Sequence, residues 1–237
     1  MSSQTTRTSN AARAVDSIPQ PWAVLIGVDK YRYAPWLSRA VTDARNIETY
    51  LLRDLHVPSE QIVLLLDEDA TRARILDALY THLRDNDNIK PGDPIYLFFA
   101  GRGVRYPVTD GKPVNAILPV DRGEEVTLED GSTGSVLDIS ERELEHFFDE
   151  LNASKGPNNT VMFDCSFFID DNPPPRTRSA RPLQGVAAQD LIKAAEQEPR
   201  RRPVAGSSAL SSGSFYDQSG SRVFMIGCQP DQYAYET

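Results

Sequence analysis

Strand-length apolar runs alternate with helical patterns along the first half of the chain, and this alternation constrains the fold more than any other feature. The apolar runs cover residues 22–28, 61–66 and 95–100. Between them, apolar residues recur at helical spacing over 40–55 and 72–83. Continuous apolar runs are typical of parallel strands covered on both faces, and their alternation with helices implies right-handed crossovers. The pattern predicts an α/β fold: a three-layer αβα sandwich around a mostly parallel central sheet.

The second half of the chain continues the same pattern with longer interruptions. A capping-box sequence from Ser140 to Glu143 precedes apolar residues at helical spacing, and strands are predicted over 160–163 and 222–228. The Pro-, Arg-, Ser- and Gly-rich segment 170–220 is predicted to be a flexible loop that contains a helix over 187–197. Polar residues 1–19 are predicted to be a disordered tail, which leaves one domain over 20–237.

Charge and cysteine content narrow the classes of partner and compartment. The 237 residues carry 25 Lys and Arg against 34 Asp and Glu, a formal charge of −9, which argues against nucleic-acid and anionic-membrane partners. No apolar run approaches the roughly 18 residues of a membrane span. Only two cysteines are present, too few for a disulfide framework. These features predict a cytoplasmic protein without a membrane segment.

The tripeptide Gly101-Arg102-Gly103 directly follows the strand predicted over 95–100. Parallel strands deliver their last residues to the sheet edge at which α/β proteins place their chemistry, and flanking glycines let the middle side chain project there. Histidine at this place would accept a proton near neutral pH, whereas arginine stays protonated. A dinucleotide-binding turn is excluded, because no third glycine and no helix follow.

Five segments, in order, resemble the caspase-like cysteine peptidases, most closely the metacaspase type of fungi and plants. They are the first strand, a helix start, a strand end usually written F-x-G-H-G, a segment usually written D-C-C-H-S or D-S-C-H-S, and a closing A-C-x-x-x-x-x-A-x-E segment. In this chain they read Ala23–Tyr31, Ala40–Ala44, Phe98–Gly103, Phe163–Phe168 and Ile226–Glu236. The resemblance covers about residues 21–237 and implies the caspase fold, proteolysis and a link to programmed cell death.

Carried over by position, the resemblance places Arg102 where the general base stands and Ser166 where the nucleophilic cysteine stands. A serine hydroxyl depends on a base even more than a thiol does. The resemblance also implies a pocket for basic side chains formed by Asp43 and Asp164 at the strand ends, beside Ala100. Paired carboxylates suit a guanidinium or an ammonium group. We therefore expect a pseudo-protease whose recognition pocket survives.

Three alternatives remain open at this stage. The first concerns the acidic pocket. Either Asp43 and Asp164 serve only the structure, as a helix cap and an acceptor of turn N–H groups, or the Arg102 side chain folds back and fills the pocket as an internal ion pair. Cys165 is the runner-up nucleophile, with a thiol pKa lowered by Arg102, and the simpler reading is a buried structural cysteine. Phe167 and Phe168 replace small or polar neighbours and crowd the nucleophile's loop. A degraded gene product is the third reading.

No cofactor is predicted, and no His or Cys spacing indicates a metal site. Calcium enters only through the resemblance, with Glu124, Glu125, Glu129 and Asp130 as an acidic loop cluster whose simpler reading is solvated charge. The expected partners are a protein or peptide with basic residues, or an active metacaspase-like relative. Related domains carry further sheet elements after the last strand, so we expect a missing C-terminal portion or a partner that covers the sheet edge.

Overall fold

A computed structural model describes residues 19–109, 111–127, 131–168, 174, 176–202, 222–229 and 232–236 of the chain. The predicted tail, apart from residue 19, and residues 170–173, 175 and 203–220 of the predicted loop lie outside the described residues. The elements, in chain order, are β1 (Trp22–Gly27), α1 (Ala40–Arg53), β2 (Ile62–Leu66), α2 (Arg72–Asp77), β3 (Ile95–Ala100), β4 (Gly103–Tyr106), β5 (Val114–Ile117), β6 (Glu125–Thr127), β7 (Thr133–Ser135), β8 (Ile139–Ser140), α3 (Glu141–Lys155), β9 (Asn159–Asp164), β10 (Ser179–Ala180), α4 (Ala188–Glu196) and β11 (Arg222–Ile226).

The central sheet has the strand order β11-β9-β3-β1-β2, and every neighbouring pair is parallel. Two of its three middle strands, β1 and β3, are apolar runs of the sequence, and their side chains are almost all buried, as expected for a sheet covered on both faces. The third, β9, alternates between buried and partly buried residues. The predicted α/β sandwich with a mostly parallel central sheet is confirmed. In the register, Ala100 lies between Gly27 and Asp164, so the last residues of β1, β3 and β9 share one edge.

Helix α1 returns from that edge and packs on β1 very closely. A Cβ atom added at Gly27 would lie 2.7 Å from the carbonyl oxygen of Ala40, so only glycine allows this approach. The Asp29 carboxylate accepts bonds from the main-chain N–H groups of Ala40 at 2.8 Å and Val41 at 3.3 Å. A residue that follows β1 thereby satisfies the first donors of α1 and fixes where the helix starts.

Two elements differ from the sequence prediction. The helix expected over 72–83 is α-helical only to Asp77, and residues 78–84 continue it with π-helical bonds. Residues 103–140 form strands that the Gly- and Asp-rich composition conceals: β4, β5 and β8 join β10 in a second sheet, and β6 pairs with β7. One bond of the predicted capping box forms, since the Ser140 hydroxyl accepts a bond from Glu143 N at 3.2 Å, whereas the Glu143 carboxylate accepts a bond from Arg72. Among the described residues, no helix has the length and apolar character needed to cross a membrane.

Candidate functional site

The Gly101-Arg102-Gly103 turn at the end of β3 is packed so tightly that both glycines are required. A Cβ at Gly101 would lie 2.5 Å from the Tyr31 hydroxyl, and one at Gly103 would lie 2.5 Å from the Ser166 carbonyl oxygen. The Tyr31 hydroxyl also accepts a 2.7 Å bond from Arg102 N. The turn therefore lies directly against the residue in the nucleophile position, as the resemblance implies.

The Arg102 guanidinium is buried and donates only to main-chain carbonyl groups. Its Nη1 donates to Thr177 O at 2.8 Å and Ser179 O at 2.5 Å, and its Nε donates to Pro35 O at 2.8 Å. A longer bond of 3.5 Å reaches Trp36 O. Burial lowers the pKa of Arg102 from its ordinary value, but a protonated guanidinium carries only donors and has no lone pair to accept a proton. Arg102 thus joins the loop after β1 to the outer edge of β10.

The sequence hypothesis that Arg102 occupies the acidic pocket is wrong. None of its bonds reaches Asp43 or Asp164, because the carbonyl groups of residues 35–36 and 177–179 hold it elsewhere. The pocket is instead occupied by Arg178, which precedes β10. Its Nη2 donates to Asp43 and its Nη1 to Asp164, and a 3.2 Å bond joins Nη1 to Asp164 O.

The pair of carboxylates predicted from the sequence therefore does converge, around an arginine of the same chain. Asp43 lies in the first turn of α1 and Asp164 at the end of β9. The Arg178 side chain is only 4% exposed, whereas the carboxylates are 33% and 37% exposed. Burial alone lowers the pKa of Arg178, but its bonds to the two carboxylates outweigh this and raise it. Burial raises the pKa of Asp164 although Arg178 opposes that shift.

Ala100 contributes its main chain to this edge. Its side chain is fully buried, and its carbonyl oxygen accepts a 3.0 Å bond from Val28 N. The next residue, Gly101, donates to Asp164 O at 3.3 Å. The main chain at Ala100 therefore links the ends of β1 and β9. Because Asp164 is the last residue of β9, this link places it at the pocket.

The Ser166 hydroxyl is buried and already committed as a donor. Its Oγ donates to Gln232 O at 2.9 Å and accepts a 3.3 Å bond from Phe168 N. Ser166 N donates to Arg178 O at 2.9 Å, so the nucleophile position and the arginine in the pocket share one hydrogen-bonded segment. The acceptor of the hydroxyl proton is thus the main-chain carbonyl group of Gln232, which is not a base.

Cys165 is fully buried, and burial raises the pKa of its thiol well above the usual value. The prediction that Arg102 lowers this pKa is wrong: the arginine that acts on the thiol is Arg178, and desolvation outweighs its charge. Its neighbour Phe167 is also fully buried. The second cysteine, Cys228, is partly exposed, and its thiol donates to Cys165 O at 3.7 Å.

The three histidines of the chain lie on or next to other elements. His82 is in the π-helical segment with Nε2 against Gln61 O, His146 is in α3 with Nδ1 against Ala195 O, and His56 follows α1. No cluster of three or more metal-ligating side chains occurs among the described residues. In the acidic loop, Glu124 pairs with Arg32, whereas Glu129 and Asp130 lie outside the described residues.

Sequence reasoning missed two contributors to the site. Arg178 is one of several arginines in a segment whose composition is typical of a loop. The one signal for it is that two neighbouring carboxylates require a cation between them. Glu236 was read only as part of the closing motif. Its carboxylate accepts bonds of 2.8–2.9 Å from the N–H groups of Ser38 and Arg39, immediately before α1. The closing segment thereby supports the helix that carries Asp43.

Comparison with known proteins gives a family to this arrangement. The caspase domain of peptidase family C14 matches residues 20–237, nearly the whole chain. A 109-residue stretch is 31% identical to metacaspase-1A of Aspergillus oryzae, covering 42% of this chain and 25% of that protein. The same length is 28% identical to metacaspase-1 of Coccidioides immitis, covering 42% of this chain and 23% of that one. The matched stretch thus spans about a quarter of these relatives.

A solved structure supports the same fold. Protein GSU0716 from Geobacter sulfurreducens superposes with a TM-score of 0.52 at 17% identity, covering 91% of this chain and 75% of that one. Identity this low shows similarity of fold alone. The chain belongs to the caspase-domain family of C14 peptidases, as a domain of the metacaspase type.

Proposed function

We propose that this domain is a catalytically inactive caspase-family protein that acts by binding another protein. The observation that supports this most is the state of the two dyad positions: Arg102 donates to three carbonyl groups within 2.8 Å, and Ser166 donates to a fourth. Amide cleavage needs a group that accepts the nucleophile's proton and returns it to the leaving amine. A cation fixed by carbonyl groups performs neither step.

Peptide turnover tests this proposal directly. The purified full chain is assayed with fluorogenic peptides carrying Arg or Lys at the cleaved position, with and without calcium, beside an active metacaspase. We expect no turnover above a blank, since losing a catalytic pair typically lowers the rate by several orders of magnitude. Turnover that copurifies with the chain and disappears in Cys165→Ala would instead establish the unconventional peptidase.

Thiol labelling gives an independent test of that runner-up. A nucleophilic cysteine reacts as the thiolate, and the Cys165 thiol is buried with a raised pKa. Alkylation of the native protein at neutral pH should modify Cys228 before Cys165, as read by peptide mass spectrometry. Preferential labelling of Cys165 would contradict the proposed inactivity. Two free thiols also support our proposal of a reducing, cytoplasmic location.

A second binding mode, capture of basic peptides, is favoured by the contacts of Arg178. They demonstrate that the Asp43 and Asp164 carboxylates accept a guanidinium group between them. In the wild type an incoming arginine must displace Arg178, so we propose that binding at this pocket follows release of the 176–180 segment. Arg178→Ala should bind an Arg-containing peptide more tightly than the wild type, and Arg178→Ala with Asp43→Asn should lose the gain. Equal affinity of wild type and Arg178→Ala would exclude this mode.

An active metacaspase-like relative is the partner that we propose for the binding role. The shared fold and the retained pair Asp43 and Asp164 support this choice. A domain that keeps the fold and the pocket carboxylates of an active peptidase presents surfaces related to those of that peptidase. Cosedimentation of the purified chain with an active metacaspase, and the effect on its turnover, would measure it. If the two proteins form no complex at micromolar concentrations, an active metacaspase is not the partner.

A further inference from the structure

A groove opens beside Arg102, between the loop after β1 and the residues around β10. It is a cavity of about 690 Å³, a size typical of sites that bind small ligands or a few residues of a peptide. Tyr33 and Trp36 form one wall, and Arg176 and Arg181 lie on the other. The groove is distinct from the pocket of Asp43 and Asp164, neither of which lines it.

The groove has the opposite charge to the chain as a whole. Four arginines line it, Arg102, Arg122, Arg176 and Arg181, and no Asp or Glu of the described part of the chain does so. The chain nevertheless carries a formal charge of −9. A concave surface lined by one sign of charge concentrates ligands of the other sign.

The lining arginines differ in how their charges are balanced. Arg122 is neutralised by two 2.7 Å bonds to Asp138. Among the described residues, Arg102 forms no hydrogen bond or ion pair with a carboxylate: it donates to carbonyl groups, and Glu236 acts on it only through its charge. Arg176 is exposed, and its guanidinium makes no bond to other residues of the described ranges. Positive charge therefore remains for a ligand.

Arg176 is also held in place by its main chain. Its φ of 64° lies in the left-handed region, which a non-glycine residue adopts only where its surroundings impose it. Glu236 N donates to Arg176 O at 3.0 Å, and Thr177 pairs with Tyr235 in an isolated bridge. The side chain is consequently presented from a fixed base, which reduces the ordering cost of binding.

The aromatic wall indicates a peptide as the ligand. Trp36 is 68% exposed and Tyr33 59% exposed, yet the indole is fixed because Nε1 donates to Tyr31 O at 3.0 Å. Exposed, ordered aromatic rings next to arginines are the residue types that carry binding energy at protein interfaces. We infer that this groove binds a carboxylate-bearing peptide segment of a partner protein, with Arg176 pairing a Glu or Asp side chain and Trp36 covering its apolar neighbours. This inference rests on the proposed binding role and specifies the chemistry of the partner.

Fluorescence anisotropy tests it with a short labelled peptide rich in glutamate and leucine, against the same peptide with glutamine at every glutamate. The full chain should bind the glutamate peptide, and added salt should weaken the binding. Arg176→Glu and Arg176→Asn should each weaken it roughly tenfold, the size of a strong interface contact. Asparagine tolerates the left-handed backbone, so Arg176→Asn separates loss of charge from misfolding. Arg45→Glu, which makes the same charge change on the exposed face of α1, should alter binding less than about twofold.

Intrinsic fluorescence locates the complex. The chain has two tryptophans, and Trp22 is buried whereas Trp36 lines the groove. The glutamate peptide should therefore change the emission of the wild type but not of Trp36→Phe. Equal affinity for the glutamate and glutamine peptides, or equal losses in Arg176→Glu and Arg45→Glu, would overturn the inference. Equal competition by a single-stranded oligonucleotide would replace it with a general polyanion surface.

The same samples distinguish this inference from the proposed function. Mass spectrometry of the peptide after incubation shows whether it is cleaved. Cleavage would overturn the proposed inactivity and leave the groove in place. An intact peptide that does not bind would overturn the groove inference alone.

Discussion

Two buried arginines meet at residues 177–179 and are held in opposite ways. Arg178 belongs to this segment, and Arg102 donates to its carbonyl groups. Arg178 donates to two carboxylates, so its charge is neutralised where it lies. Arg102 donates to the carbonyl groups of residues 35, 177 and 179, so its charge is only solvated by dipoles. At the acidic pocket, Arg178 occupies the place of an external basic ligand. At the dyad position, Arg102 stands where related peptidases have a proton acceptor.

On the proposed function, chemistry at the dyad positions and recognition at the acidic pocket are separable parts of this fold. The carboxylate pair of the pocket accepts a guanidinium group, whereas Arg102 at the dyad edge joins the loop after β1 to β10. Arg102 also leaves positive charge facing the groove, where a base would leave none at neutral pH. The four predictions below test this contrast, and they run from the largest expected effect to the smallest.

Arg178→Met should cost about 2–3 kcal/mol of unfolding free energy at pH 7. It leaves two carboxylates facing one another, and the figure is lower than for a fully buried pair because both are about one-third exposed. Urea unfolding measures the loss, and adding Asp43→Asn and Asp164→Asn should recover part of it. A triple variant no more stable than Arg178→Met would show that the carboxylates are not the cause.

The cost of Arg178→Met should also shrink as the pH falls through the raised pKa of Asp164. Burial raises the folded-state pKa of Asp164 above its unfolded value, so its protonation on acidification favours the fold. Once protonated, Asp164 neither attracts Arg178 nor repels Asp43. Unfolding measured between neutral and mildly acidic pH should therefore bring the two proteins together, and a pH-independent difference would contradict the ion-pair account.

Arg102→His should cost about 2 kcal/mol, because it removes charged bonds to three buried carbonyl groups. Combined with Ser166→Cys it restores the family's residue types, yet we expect little recovered peptide turnover, since the outer edge of β10 loses its partner. Arg102→Lys is the matched control that keeps the charge and some of the bonds. Hydrogen exchange at residues 177–180 should quicken in Arg102→His more than in Arg102→Lys. Strong turnover in the double variant would show that the edge holds without Arg102.

Glu236→Ala should have the smallest effect, about 1 kcal/mol, because its carboxylate satisfies exposed donors at the start of α1. Glu236→Gln keeps an oxygen acceptor and should lose less. Thermal unfolding of the two variants provides the comparison. Faster hydrogen exchange in the first turn of α1 should accompany the loss, and unchanged exchange there would exclude a capping role.

The central sheet could be predicted well because its signals are local. Residues 95–100 were predicted as a strand with the bounds that the structure has, and α1 and α4 differ from prediction by one or two residues at their ends. The second sheet was missed since β4 and β5 are four-residue strands between glycines and prolines. The π-helical bonds over 78–84 leave no trace in the apolar spacing, which fits an α-helix equally well.

The candidate site was predicted in its membership and not in its pairing. Asp43, Asp164, Arg102 and Ser166 do meet at one sheet edge, because the carboxyl ends of parallel strands converge there. Which arginine enters the pocket depends on how residues 176–180 pair with β4, a contact between segments far apart in sequence. Local composition contains no record of such a pairing, and so Arg178 could not be distinguished from Arg176 or Arg181.

The bond between Glu236 and Ser38 joins residues 198 positions apart. During synthesis, almost every other element has left the ribosome before this acceptor emerges. The N–H groups of Ser38 and Arg39, just before α1, therefore gain their acceptor among the last steps of folding, when loop closure is already offset by the assembled sheet. A released chain that lacks Glu236 would carry a formed sheet in which these two N–H groups have no carboxylate partner.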